Sequence, residues 1–182
     1  MPPYGAPREV PHVHGKPLAE WGERLLARII DCLAVAVPVY LVIVLLFSVI
    51  QLVTVGTGTL QPWTLFDLLA GLSVVAGLVV YEFLMLTRAN GRTLGKMALG
   101  LRVVPQEHPP QQDGNLPPNT ALARGAVWWG PGLIDFILPI PMIGLLLAIA
   151  FVLVNGLWPL WDQPWRHSLN DKFTGTVVVK DR

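Results

Sequence analysis

The sequence has little charge and almost no cysteine. Charged residues make up 14% of its 182 residues, against about 25% in an ordinary soluble domain. Hydrophobic residues reach 53%, so the composition indicates a membrane protein. Cys32 is the only cysteine, which excludes an intrachain disulfide. The net charge of +1 is too small to suggest a nucleic-acid partner, and we expect none.

The common catalytic motifs are also missing. The sequence contains no Gly-x-Ser-x-Gly, His-Glu-x-x-His or Cys-x-x-Cys element. The stretch from Gly91 to Lys96 resembles a phosphate-binding loop only superficially, because three residues rather than four separate its glycines and Met97 follows the lysine. We therefore expect no enzyme, no metal and no cofactor.

Long uncharged stretches are what the sequence does contain. Residues 32–66 include no Asp, Glu, Lys, Arg or His, and a bilayer needs only about 20 apolar residues. We predict an all-α multi-pass membrane protein with four membrane segments arranged as two helical hairpins. The predicted segments are 29–53, with a kink at Pro38, and 65–86, 122–138 and 140–160. Gly130-Pro131-Gly132 would weaken a full span, so a re-entrant or interfacial third segment is the alternative.

Polar segments divide the rest of the chain. Residues 1–19 are predicted to be a disordered, proline-rich arm, and 20–182 form the membrane domain. Within that domain lie a loop at 87–119 and a tail at 161–182. Residues 101–104 and 177–179 have β-type sequences, and we predict that they pair on the cytoplasmic side.

The positions of the basic residues predict the orientation. No lysine or arginine falls within 29–87 or 125–165. Two hairpins with both connecting turns outside place every basic residue on one side of the membrane, which the positive-inside rule identifies as the cytoplasm. We expect both termini there.

Ionisable residues at the ends of the apolar runs are the candidate site, since charge there is unfavourable without a partner. Seven residues are predicted to cluster: Arg24, Arg28, Asp31, Glu82, Arg124, Asp162 and Asp171. Such carboxylates can bind a cation or relay protons, or their ion pairs can simply fix one helix arrangement.

Two smaller groups add to this cluster. His167 and Asp171 are four residues apart, a spacing that would suit a proton relay on a helix. Arg88, Arg92 and Lys96 follow the second predicted span, where contact with anionic lipid headgroups is expected.

Several blocks together resemble the RDD family, bacterial membrane proteins named for one arginine and two aspartates. The blocks, in the family's order, are 24–31, 91–96, 100–104, Arg124 after 119–121, 160–162 and 167–178. The resemblance maps the first arginine to Arg24 and the first aspartate to Asp31, and leaves the second aspartate open between Asp162 and Asp171. It implies an inner-membrane location, and cation–proton exchange has been proposed for some members.

Two functions follow from these observations. The first is a transporter for a cation or other small solute, which would use Asp31, Glu82 and an aspartate of the tail. The second is a membrane scaffold or assembly factor with a structural Arg/Asp cluster. Expected partners are the lipid bilayer, a second copy of the chain, and a protein bound through the proline-rich arm.

Overall fold

The structure is a computed structural model that describes residues 11–56, 63–107, 113–134 and 143–181. Seven α-helices and four strands lie in this part of the chain. In order they are β1 (His12–Val13), β2 (Lys16–Pro17), α1 (Trp21–Asp31), α2 (Val37–Gly56), α3 (Trp63–Arg88), α4 (Leu94–Leu99), β3 (Leu101–Pro105), α5 (Pro118–Trp129), α6 (Ile143–Leu157), α7 (Leu169–Thr174) and β4 (Thr176–Lys180).

Helices α1 and α2 form one long helical stretch joined by a π-helical segment, Cys32–Ala36. Pro38 has no N–H to donate to the preceding turn, so the α-helical hydrogen-bond pattern is interrupted close to where the kink was predicted. Helix α1 begins at Trp21, where Glu20 is the N-cap and Glu23 Oε2 accepts a hydrogen bond from the Glu20 N–H at 2.8 Å.

Two helices of the described chain are long and apolar enough to cross a membrane, Trp21–Thr54 and Leu68–Arg88. The first exposes most of its apolar side chains, including Leu45 at 66% and Leu52 at 75%. Exposed apolar surface on this scale is unfavourable in water but matches lipid tails. The protein is therefore a membrane protein with at least these two candidate spans.

The other two predicted spans are shorter in the part of the chain that the structure describes. Helix α5 ends at Trp129, where a 3-10 turn, Gly130–Leu133, replaces the α-helix. Helix α6 has 15 residues, or about 22 Å at 1.5 Å per residue, against a hydrocarbon thickness of about 30 Å. Residues 135–142 lie outside the described ranges, so the four-span arrangement stays a prediction.

A small folded unit, which we call the cap, sits at the ends of α1, α3, α5 and α6. It consists of α4, β3, α7 and β4. The predicted β-pairing is confirmed: β3 and β4 are antiparallel, with Val103 opposite Val178. Alternate residues of β4 contribute to two apolar clusters, Val178 to one and Val177 and Val179 to the other. Both faces of the sheet are buried, which explains the unbroken run of valines.

The end of the predicted arm is part of the fold. Residues 11–19 form the β1–β2 hairpin and an extension in which Leu18 bridges to Val179 and is fully buried. Apolar contact with β4 orders this segment despite its prolines and glycine. Residues 1–10 lie outside the described part of the chain.

Candidate functional site

Three buried carboxylates, Asp31, Glu82 and Asp171, lie where the apolar helices meet the cap. Each is at most 1% exposed. They come from α1, α3 and α7, so the sequence distances between them are long. We call these carboxylates and the side chains that contact them the polar network.

Asp31 joins α1 to the start of α4. Its Oδ2 accepts from the Thr93 hydroxyl at 2.6 Å, and its Oδ1 accepts from the Gly95 N–H at 2.8 Å and the Tyr81 hydroxyl at 2.9 Å. This close approach needs glycine at position 95, because a Cβ there would lie 1.9 Å from the Ala27 carbonyl oxygen. All three groups that donate hydrogen bonds to Asp31, the first signature aspartate, are therefore uncharged.

Glu82 joins α3 to α1 and α5. Arg28 donates to both of its oxygens, at 3.2 Å and 2.9 Å, in a two-pronged contact. Trp129 Nε1 donates to Oε2 at 3.1 Å. The Arg28 guanidinium also lies 4.3 Å from the ring centre of Trp128.

Asp171 connects two arginines from different helices. Arg124 of α5 donates to Oδ1 at 2.7 Å, and Arg24 of α1 donates to Oδ2 at 3.1 Å. Asp171 also forms a capping box with Ser168 at the start of α7. Burial by itself would raise the pKa of Asp171, but Arg124 and Arg24 outweigh it and lower that pKa to about 2. The carboxylate is therefore charged at neutral pH.

Arg24 and Arg124 also donate hydrogen bonds to acceptors other than Asp171. Arg24 donates to the carbonyl oxygens of Arg166 at 2.6 Å and Val178 at 3.2 Å. Arg124 donates to the Thr176 hydroxyl. The cap is thus held to α1 and α5 through backbone as well as side-chain acceptors.

Lys96 is buried in the same region and has no carboxylate partner within 4 Å among the described residues. It is 4% exposed, and its Nζ donates one hydrogen bond, to Thr93 Oγ1 at 3.3 Å. Burial and the nearby Arg28 together lower the pKa of Lys96 to about 7, against the opposing effect of Glu82. The predicted headgroup contact is wrong for Lys96, because the α1–α4 packing covers its side chain. Arg92 pairs with Asp181, and Arg88 is exposed.

Asp162 and His167 lie outside the polar network. His167 contacts Asp162 Oδ2 at 2.8 Å through Nδ1 and Gln106 Oε1 at 2.9 Å through Nε2. The predicted His167–Asp171 relay does not form, because α7 begins at Leu169 and the helical spacing of four residues does not apply. Of the two candidates for the second signature aspartate, Asp171 is the one that meets Arg24.

Sequence reasoning missed several members of this region. Three of them are uncharged, so a charge beside an apolar run does not indicate them: Thr93, Tyr81 and Trp129. The fourth is Lys96, which the sequence places among the residues that contact lipid headgroups. Asn155 could have been predicted as a buried polar residue, because it carries the only side-chain amide in the apolar helix α6. It is fully buried, and its Oδ1 accepts from the Asn170 N–H at 3.0 Å.

The fold and the polar network define a helical membrane protein whose apolar helices meet a folded cap through buried arginine–carboxylate contacts. A model of the RDD family matches residues 18–175, and the chain belongs to that family. The predicted resemblance is thereby confirmed. No curated protein and no solved structure matches the chain.

Proposed function

We propose that this protein is a membrane scaffold or assembly factor whose polar network is structural. The observation that carries the proposal is the occupation of all three buried carboxylates. Asp31 has three protein donors, Glu82 has three from Arg28 and Trp129, and Asp171 has Arg24, Arg124 and its capping contacts. A cation path needs carboxylate oxygens that are free to bind the ion, which supports a structural role over cation–proton exchange.

An apolar groove beside the network supports a partner-binding role. It has a volume of about 260 Å³ and lies between the end of α5 and α6. Its lining residues are Trp128, Trp129, Pro131, Gly132, Ala148, Ile149, Val152 and Leu153. Small residues let another backbone approach closely, so a groove with glycine and alanine suits an apolar transmembrane helix of a partner.

We further propose a multi-pass inner-membrane topology with the cap in the cytoplasm. The chain leaves the cap through α1, returns through α3, leaves again through α5 and returns at the end of α6. A contact between the end of α6 and the start of α1 supports the second return. Trp21 Nε1 donates a hydrogen bond to the Gly156 carbonyl oxygen at 2.8 Å. These contacts support a topology in which the segments on both sides of each hairpin share one compartment, as the distribution of basic residues predicts.

Site-specific photocrosslinking in native membranes tests the partner-binding role. A crosslinking residue in place of Ile149, inside the groove, is expected to give one discrete protein adduct. The matched control position is Leu45, which is exposed on α2 and does not line the groove. That position is expected to crosslink to lipid.

A groove-filling variant separates specific binding from chance contact. Gly132 lines the groove, and in Gly132→Leu the added Cβ would lie at an ordinary 3.5 Å from Val75 Cγ2, so the backbone can accept a larger side chain at the groove wall. The variant is expected to abolish the adduct from position 149. Lipid adducts alone from both positions, or a protein adduct unchanged by Gly132→Leu, would contradict the proposal.

A further inference from the structure

A second cavity lies inside the polar network, and four cationic side chains belong to its otherwise largely apolar wall. Its volume is about 50 Å³, several times the roughly 10–15 Å³ that one water molecule requires. Arg24, Arg28, Lys96 and Arg124 line it, together with Asp171 and Asn155. It shares Trp128 with the apolar groove but otherwise has different lining residues, and it does not depend on a partner binding there.

The charges around this cavity do not balance while Lys96 is protonated. Four cationic side chains face three buried carboxylates, those of Asp31, Glu82 and Asp171. Glu82 is paired with Arg28, and Asp171 is shared by two arginines. Within the ranges that the structure describes, Asp31 forms no ion pair and Lys96 has no carboxylate within 4 Å, so the set as a whole carries one excess positive charge. An uncompensated buried charge is strongly unfavourable, so the region either binds an anion or lets Lys96 lose its proton.

Two residues of the cavity wall, Arg124 and Asn155, carry buried hydrogen-bond donors without a partner among the residues that the structure describes. Within the described chain, Arg124 Nε and Asn155 Nδ2 have no hydrogen-bond partner although both atoms are buried. Both residues belong to the cavity wall and are at most 2% exposed. Buried donors are nearly always satisfied in native proteins, so a bound acceptor is the expected complement.

We propose that this cavity binds a tetrahedral oxyanion of the phosphate class, as a free inorganic anion or as the phosphate of a lipid headgroup. Guanidinium and amide donors that approach from different helices fit an acceptor with several oxygens. Asp171 also lines the cavity, but Arg24 and Arg124 neutralise its carboxylate, so it does not repel the ligand on its own.

Binding at this site takes up a proton. The pKa of Lys96 is about 7, lowered by burial and by Arg28 and Arg124, and opposed by Glu82 and Asp31. A bound anion favours the protonated lysine, so affinity falls as pH rises through that value. Sulfate is the suitable probe, because its charge does not change over this range.

The test uses the full-length protein in non-ionic detergent, titrated calorimetrically with sodium sulfate and with inorganic phosphate at fixed ionic strength. Binding is expected at about pH 6, and it should weaken clearly at about pH 8.5. Lys96→Met should reduce sulfate affinity about tenfold or more, the effect of losing one charge-assisted contact. Lys172→Met, which changes an exposed lysine outside the cavity, should leave the affinity unchanged.

Asn155→Asp is the sharper variant. The aspartate keeps the Oδ1 acceptor for the Asn170 N–H and replaces the unpartnered amide nitrogen with a negative oxygen. It is expected to stay folded, to unfold at a higher temperature than the wild type without added anion, and to lose the sulfate response. Retention of that response would overturn the proposal.

A second arm distinguishes the two sources of phosphate. The protein is reconstituted in nanodiscs of phosphatidylcholine, alone or with phosphatidylglycerol, and retained lipid is counted by native mass spectrometry. Retention of phosphatidylglycerol by the wild type, lost in Lys96→Met and Asn155→Asp, identifies a headgroup site, whereas a sulfate and phosphate response without lipid retention identifies a free anion. No response to sulfate, phosphate or phosphatidylglycerol in the wild type would refute the site.

Discussion

At the scale of single residues, Asp171 is the carboxylate of the polar network that joins two arginines. It accepts hydrogen bonds from Arg24 and Arg124, and it closes the capping box of α7 with Ser168. Both arginines are largely buried, so each depends on this carboxylate for its counter-charge. Such a residue fixes the relative positions of α1, α5 and α7 more than it adds net attraction.

Asp171→Asn is expected to lower the free energy of unfolding by about 3–5 kcal/mol at neutral pH, because it leaves two buried guanidinium groups without a carboxylate. Thermal unfolding in detergent measures the change. Asp162→Asn is the matched control, since Asp162 lies nearer the surface and pairs with Lys172 outside the network. Its loss should be about 1 kcal/mol or less, and equal losses in the two variants would contradict the assignment.

The pH dependence of the same pair follows from the lowered pKa of Asp171. The ordinary value is 3.8, and the arginines lower it to about 2 in the folded protein. The stabilisation is therefore fully present above about pH 4 and is lost as the pH falls through about 2. The difference in unfolding temperature between wild type and Asp171→Asn should be constant down to about pH 4 and should shrink below it.

Most of the network residues could be predicted from the sequence, because charge beside an apolar run requires a partner. The need for a partner identifies Arg24, Arg28 and Glu82 without any knowledge of the fold. It could not choose between Asp162 and Asp171, since both follow the last apolar helix. The choice depends on the capping box at Ser168, which turns the Asp171 side chain back toward the arginines.

At the scale of secondary-structure elements, the contact between α1 and α4 is the tightest in the network. The Gly95 N–H reaches Asp31, and the helix backbones meet at Ala27 and Gly95. Glycine at position 95 therefore serves the packing of two helices rather than a phosphate loop. The glycine pattern between Gly91 and Lys96 therefore reflects the close contact of α4 with α1.

Gly95→Ala should destabilise the protein by about 1–3 kcal/mol or more, because a Cβ 1.9 Å from the Ala27 carbonyl oxygen forces α1 and α4 apart. Gly22→Ala in α1 is the control with the same chemical change, since no described atom lies within 4 Å of its added Cβ. That variant should be neutral or stabilising by about 0.5–1 kcal/mol. Unfolding in denaturant measures both, and a neutral Gly95→Ala would rule out the close contact.

The long elements were predictable and the short ones were not. Helix α3 lies within two residues of its predicted bounds at each end, because an apolar run of this length predicts a membrane-spanning helix. Helices α4 and α7 have six residues each, too few for a periodic pattern. For α7 there was a local signal, because Ser168, Asp171 and Gly175 are the residues of a capping box and a left-handed C-terminal glycine.

At the scale of the whole molecule, two kinds of surface meet at the polar network. On one side are apolar helices that expose their side chains, as lipid-facing helices do. On the other is the cap, whose β3–β4 sheet joins the central loop to the tail. The network joins the two parts, and we propose that its carboxylates hold them together rather than carry ions.

Cation-dependent proton flux tests that central claim most directly. Wild type and Asp31→Asn are reconstituted in proteoliposomes under the same conditions, with circular dichroism to establish that both are folded. Wild-type flux is expected to equal that of liposomes without protein for each cation tested, and Asp31→Asn is expected to differ only in a lower unfolding temperature. Flux that is present in the wild type and lost in a folded Asp31→Asn would contradict a structural role for the network and make Asp31 an ion-carrying residue.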